Sequence, residues 1–126
     1  VTEDPLVRSL LSEVLRKLQR LASEGVDGSI DLKTLPMTAP QRQDLAEVLG
    51  EGEVTATVEV AGPSRVRETG YDGVWWVEHV GVHGAVLAES LEVARVPEIL
   101  RAHPADVSAA AARLSAALEA MKGTPR

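Results

Sequence analysis

Residues 53–60 read EVTATVEV, with Val54, Ala56, Val58 and Val60 alternating with Glu53, Thr55, Thr57 and Glu59. Successive side chains of a strand point to opposite faces, so this period of two dictates an extended segment with one dry and one wet face. The chain continues in the same manner to Val96. AGPS turns it, RVRETGY is a weaker strand, Asp72-Gly73 is a turn signal, VWWVEHV is a strand, GVHG turns again and AVLAESLEVARV returns. Turns this short make antiparallel pairing of sequential neighbours the default.

The flanks have a different period. Asp4 precedes Pro5, a cap followed by a residue preset for the first helical turn. Val7, Leu10, Leu11, Val14, Leu18 and Leu21 then recur every three or four residues, and Gly25 supplies a stop. The spacing predicts a helix over about residues 5–23. In GSIDLKTLPM, Ile30 and Leu32 alternate with polar residues and suggest a short extended piece ended by Pro36. Thr38 and Gln41 stand at capping-box spacing ahead of Leu45, Val48 and Leu49, and Gly50 closes this second helix. Pro97 begins a helical turn, and Pro104 begins a final helix striped by Val107, Ala111, Leu114, Leu118 and Met121 among many alanines. The terminal KGTPR is expected to fray. Together these elements predict an α+β fold of one domain, residues 1–126. It would be an antiparallel meander sheet of about four strands, with the N-terminal and C-terminal helices on one face.

Charge narrows the partners. The net charge is −6, and residues 43–94 hold ten acids against Arg65 and Arg67 only, a net of −8. Such a region repels nucleic acid and anionic lipid and attracts a basic partner; it also serves simply as a solvated surface. No run approaches the roughly 18 apolar residues of a membrane span, and the acidic opening VTEDP is unlike a secretory signal. The chain has no cysteine, so disulfides, thiolate metal sites and cysteine nucleophiles are excluded together. A cytoplasmic location and no membrane insertion are the corresponding expectations.

Trp75 and Trp76 are adjacent, and they are the only two tryptophans in a chain with one tyrosine and no phenylalanine. On a strand they face opposite ways. Trp75 shares its face with Val77 and His79, whereas Trp76 shares its face with Glu78. The charge beside Trp76 assigns Trp75 to the core and Trp76 to the outer face, where an exposed indole is a binding anchor. The alternative is a Trp76 sheltered by a loop, a helix or a dimer seam.

Positive signs of catalysis are missing. His79 and His83 lie four apart, a metal spacing on a helix, but here among Gly81 and Gly84 in a hairpin. There is no H-E-x-x-H and no G-x-S-x-G, and GEGE at residues 50–53 is acidic where a phosphate loop needs a following lysine. His103, before Pro104, reads as a helix-start residue. Glu68, Glu89 and Glu92 fall on strands expected to be neighbours. No catalytic residue, metal site or cofactor is therefore assigned.

Four stretches, IDLKTLPMT, LGEGEV, RETGYDGVWWVEH and LEVARVPEIL, resemble in order and spacing the conserved unit of the HupH/HyaF hydrogenase expression proteins, from about Ile30 to Leu100. The resemblance implies a non-enzymatic accessory factor in maturation of nickel–iron hydrogenases. Its client would be the small, iron–sulfur subunit before export, with a thioredoxin-like accessory protein as a further partner. Longer members of the family extend beyond this unit. On this reading the contact surface is the outer sheet face around Trp76, Glu68, Glu78 and Glu92, drawing in a basic segment such as a twin-arginine leader. The rivals are a small acid–base or metal-dependent enzyme using His79, His83 and nearby glutamates, and a homodimeric interaction module joined through the sheet.

Overall fold

The computed structural model describes residues 3–59 and 62–122. Helix α1 spans Pro5–Glu24, strand β1 Gly28–Asp31, helix α2 Ala39–Leu49, and strands β2 to β5 Thr55–Glu59, Pro63–Glu68, Val74–Val80 and Val86–Val93. A 3-10 helix at Glu98–Leu100 and helix α3, Pro104–Lys122, follow. Val60 and Ala61, expected at the end of the first strand and in its turn, and Gly123–Arg126 of the fraying tail, lie outside the described residues.

Local chemistry sets the helix ends. The Asp4 carboxylate accepts from the Leu6 and Val7 amides at 2.9 and 3.3 Å, and Gly25 leaves α1 in the left-handed conformation at φ +70°. At α2 the Thr38 hydroxyl accepts from the Gln41 amide while Gln41 Oε1 accepts from the Thr38 amide, a complete capping box. The Gln41 side-chain amide also donates to both oxygens of Asp4, at 3.2 and 3.1 Å. The first turns of α1 and α2 are thereby tied together. This hydrogen bond from Gln41, aided by the two backbone amides and opposed by desolvation, holds the Asp4 carboxyl below its ordinary pKa.

The sheet is open, entirely antiparallel and ordered β1-β5-β4-β3-β2. The expected meander is present as β2 to β5. The fifth strand is β1, which pairs with β5 in the register Ile30 to Leu91. Helices α1 and α2 lie on one face and close a core of Val7, Leu10, Val14, Ile30, Leu32, Leu45, Leu49, Val74, Trp76 and Leu91. On the second face Val66, Trp75 and Val77 form a smaller cluster covered by Ile99 and Leu100 of the 3-10 helix, with Ala56 alongside.

The helices thus differ from the expectation of one covered face. The 3-10 helix sits on the side opposite α1 and α2, and no residue of α3 is buried. The α3 stripe resembles a core-facing one, but its alanines provide little apolar area to draw the helix down onto the sheet.

Candidate functional site

The site is built around the two indoles of β4. Registry assigns every strand residue to a face. Trp75 lies between Glu68 of β3 and Glu92 of β5, and these three share the second face. Trp76 lies between Arg67 and Leu91, and with Glu78, Arg65 and Glu89 it belongs to the helix-covered face.

Both indoles are buried, Trp75 at 7% exposure and Trp76 at 3%. The assignment of Trp76 to an exposed outer face is therefore corrected. Glu78 made that face look wet, but α1 and α2 close their core over Ile30, Leu91, Val74 and Trp76, while Glu78, farther along β4, is only partly buried. Trp76 Nε1 donates to Glu89 at 2.8 Å, and the buried Glu89 carboxylate is paired with Arg42 of α2. The Arg67 guanidinium sits 4.9 Å from the Trp76 ring centroid, a cation–π contact. Trp76 thus has a fixed internal role, joining helix α2 to strands β3 and β5. Trp75 donates to the Ala94 carbonyl at 3.0 Å, which anchors the end of β5 against β4.

The named glutamates separate accordingly. Glu68 and Glu92 flank Trp75 on the second face, whereas Glu78 lies on the other face opposite Arg65. Glu68 Oε1 accepts from the Glu53 amide at 3.1 Å, and Glu92 accepts from the Glu98 amide at 3.4 Å, so each also holds a loop. Beside Glu92 a shallow pocket of about 220 Å³ is lined by Asp27, Ser29, Glu92, Glu98 and Arg101. Arg101 pairs with Asp27 at 2.5 Å and with Glu98 at 3.4 Å, and Asp27, as the largest influence, holds its guanidinium pKa above the ordinary value. Acids outnumber bases along this edge of the second face.

The histidines do not converge. His79 Nδ1 is 2.7 Å from the hydroxyl of buried Ser64. His83 is exposed in the β4–β5 turn, and His103 Nδ1 accepts from the Ala105 amide at the start of α3. Among the described residues no group of three or more histidines and carboxylates is placed to hold a metal ion. No helix is long and apolar enough to cross a membrane among the same residues. Arg42, Arg67 and Glu89 are the site residues that sequence reasoning missed as a group. Glu89 had a readable sign, because it alternates with Leu91 and Val93 on an apolar series.

Residues 7–121 match the family model described as HupH hydrogenase expression protein, C-terminal conserved region. The chain belongs to the HupH/HoxQ/HyaF family. It is 30% identical over 118 residues to the hydrogenase expression/formation protein HoxQ of Azotobacter vinelandii, covering 94% of this chain and 41% of that protein. It is 30% identical over 111 residues to the hydrogenase-1 operon protein HyaF of Escherichia coli, covering 88% and 37%. The solved structure of the hydrogenase expression protein HupH from Thiobacillus denitrificans superposes with a TM-score of 0.84 at 39% identity, covering 90% of this chain and 94% of that one. The chain spans about two fifths of the length of these curated relatives. The HupH-type region runs through nearly the whole of α3, so that exposed helix is part of the conserved unit.

Proposed function

We propose that this chain is a non-enzymatic maturation factor for a nickel–iron hydrogenase, acting in the cytoplasm on the small, iron–sulfur subunit before export, beside a thioredoxin-like accessory protein. The observation that carries the reading is the family match over residues 7–121, to a region of proteins named for hydrogenase expression and formation. The geometry agrees with holding rather than turning over a client. The two indoles are buried and hydrogen-bonded inside the fold, and a chain without cysteine has no thiolate with which to take the client's cluster.

The proposed contact surface is the second face where Glu68 and Glu92 flank Trp75, extended by Glu98. Glu78 stands on the opposite face of the central strand β4 and is left out of this surface, and Trp76 supports the surface from within. A basic client segment, such as a twin-arginine leader, suits this acidic edge. The test is capture of the small-subunit precursor by the purified protein across a salt series. Wild type is expected to retain the precursor and to lose it progressively with salt. The double variant Glu68→Gln/Glu92→Gln is expected to retain several-fold less while keeping the wild-type melting profile. Capture that ignores both salt and the substitutions would move the contact away from this face, and no capture at all would remove the small subunit as client.

A further inference from the structure

The open sheet has two edges, β1 and β2, and only the first is guarded. Strand β1 is four residues long, the Lys17 stem of α1 lies against Gly28, and the Asp31 carboxylate accepts from the Lys33 and Thr34 amides as the chain turns away. Strand β2, Thr55–Glu59, holds no lysine, proline or bulge, the devices that blunt an edge. Registry shows which of its backbone groups are unpaired. The Val54 carbonyl accepts from the Glu68 amide at 2.8 Å, and Glu59 lies opposite Pro63, which has no N–H to give. Ala56 and Val58 therefore turn their N–H and C=O groups to β3, and Thr55, Thr57 and Glu59 turn theirs outward. These three residues are exposed. We propose that this edge takes a further strand, supplied by an extended basic segment of a partner protein.

The chemistry of the edge fixes the kind of occupant. Alternating donors and acceptors match another extended backbone, and the side chains on either face choose among such backbones. On the second face Val54, 43% exposed, Ala56 and Val58 make an apolar row beside the Val66, Trp75 and Val77 cluster. On the other face the row is Glu53, Thr55, Thr57 and Glu59, with an acid at each end. The bases of β3 on that face, Arg65 and Arg67, stand one strand spacing of about 4.8 Å farther in, and Arg67 is held over the Trp76 ring. A segment that alternates apolar with polar residues and places a base opposite each glutamate matches both rows. A second copy does not. Two β2 strands paired antiparallel set Glu53 of each opposite or diagonal to Glu59 of the other, and like charges so placed are destabilising.

The inference goes beyond the contact proposed at Glu68 and Glu92 and is tested without any hydrogenase. The probe is the peptide RVTVTVR with both termini blocked, and EVTVTVE is its counterpart. In the free protein the amides of Thr55, Thr57 and Glu59 are expected to exchange freely with solvent and those of Ala56 and Val58 slowly. Saturating RVTVTVR is expected to slow the first three. It is expected to bind about ten-fold tighter than EVTVTVE, by a margin that shrinks with salt. In the antiparallel register its threonine amides point at β2, so N-methylation of the threonines is expected to abolish binding and N-methylation of the valines to spare it. Thr57→Pro removes the central outward N–H but no bond to β3, and is expected to lose the peptide. Glu53→Lys/Glu59→Lys changes only exposed side chains and is expected to reverse the preference between the peptides. No slowing of the three amides, equal affinity for the two peptides, or full binding of the threonine-methylated peptide would each overturn the proposal. So would slowing that grows with protein concentration in the absence of peptide, which assigns the edge to a second copy.

Discussion

Burial of the Glu89 carboxylate is tolerated because Arg42 and the Trp76 indole both donate to it. Arg42→Ala leaves the indole as donor and is expected to cost about 1–3 kcal/mol. The loss stays below the roughly 3–5 kcal/mol of a fully buried pair, because Arg42 is 41% exposed and water reaches the gap. Glu89→Gln keeps an acceptor for Trp76 and is expected to lose less. Denaturation followed by tryptophan fluorescence checks both, since the only two indoles are the reporters. Asp4 adds a pH dependence. Its folded pKa is lowered, so its stabilising contribution is present above the ordinary value of 3.8 and is lost as pH falls through the lowered one. Asp4→Asn is expected to lower the melting temperature at pH 7 and to narrow the gap from wild type in strong acid. At this scale the sequence showed that adjacent indoles take opposite faces but not which face the helices cover. That choice depends on α2 lying over Trp76 and supplying Arg42, a contact between residues 47 apart from Glu89.

The elements whose ends are set by neighbouring residues were legible. Asp4-Pro5, the Thr38–Gln41 box, Gly25, Gly50 and Asp72-Gly73 each act within a few residues, and the observed boundaries fall at or next to them. Strand β1 was seen only as an extended piece, because its partner β5 lies some sixty residues on and four residues of alternation carry no address. Helix α3 was misplaced because a stripe every three or four residues reports that a face wants cover, not what covers it. Two glycines separate backbone strain from crowding. Gly73 has φ +92°, and an added Cβ meets nothing closer than 3.4 Å, so Gly73→Ala is expected to cost about 1–2 kcal/mol from conformation alone. Gly62 has φ +114°, and its Cβ would lie 2.5 Å from the Val80 carbonyl oxygen, so Gly62→Ala is expected to lose more. Thermal melts of the two variants give the comparison.

Across the whole molecule the fold divides into a sheet with its two helices and an appended α3. With no α3 residue buried, residues 1–103 are expected to keep the melting temperature of the full chain within a few degrees when both are dilute. The acidic middle of the chain was legible from composition, but its division between two faces was not. Glu68 and Glu92 reach the second face and Glu78 the first through registry alone.

The placement of β1 beside β5 has a consequence for synthesis. A ribosome delivers β1 some sixty residues ahead of its partner, so β1 has nothing to pair with until Ser90–Val93 clears the exit tunnel. Until that moment Val7, Leu10 and Val14 have only Leu45 and Leu49 of α2 to pack on, and the sheet side of that core stays unfinished.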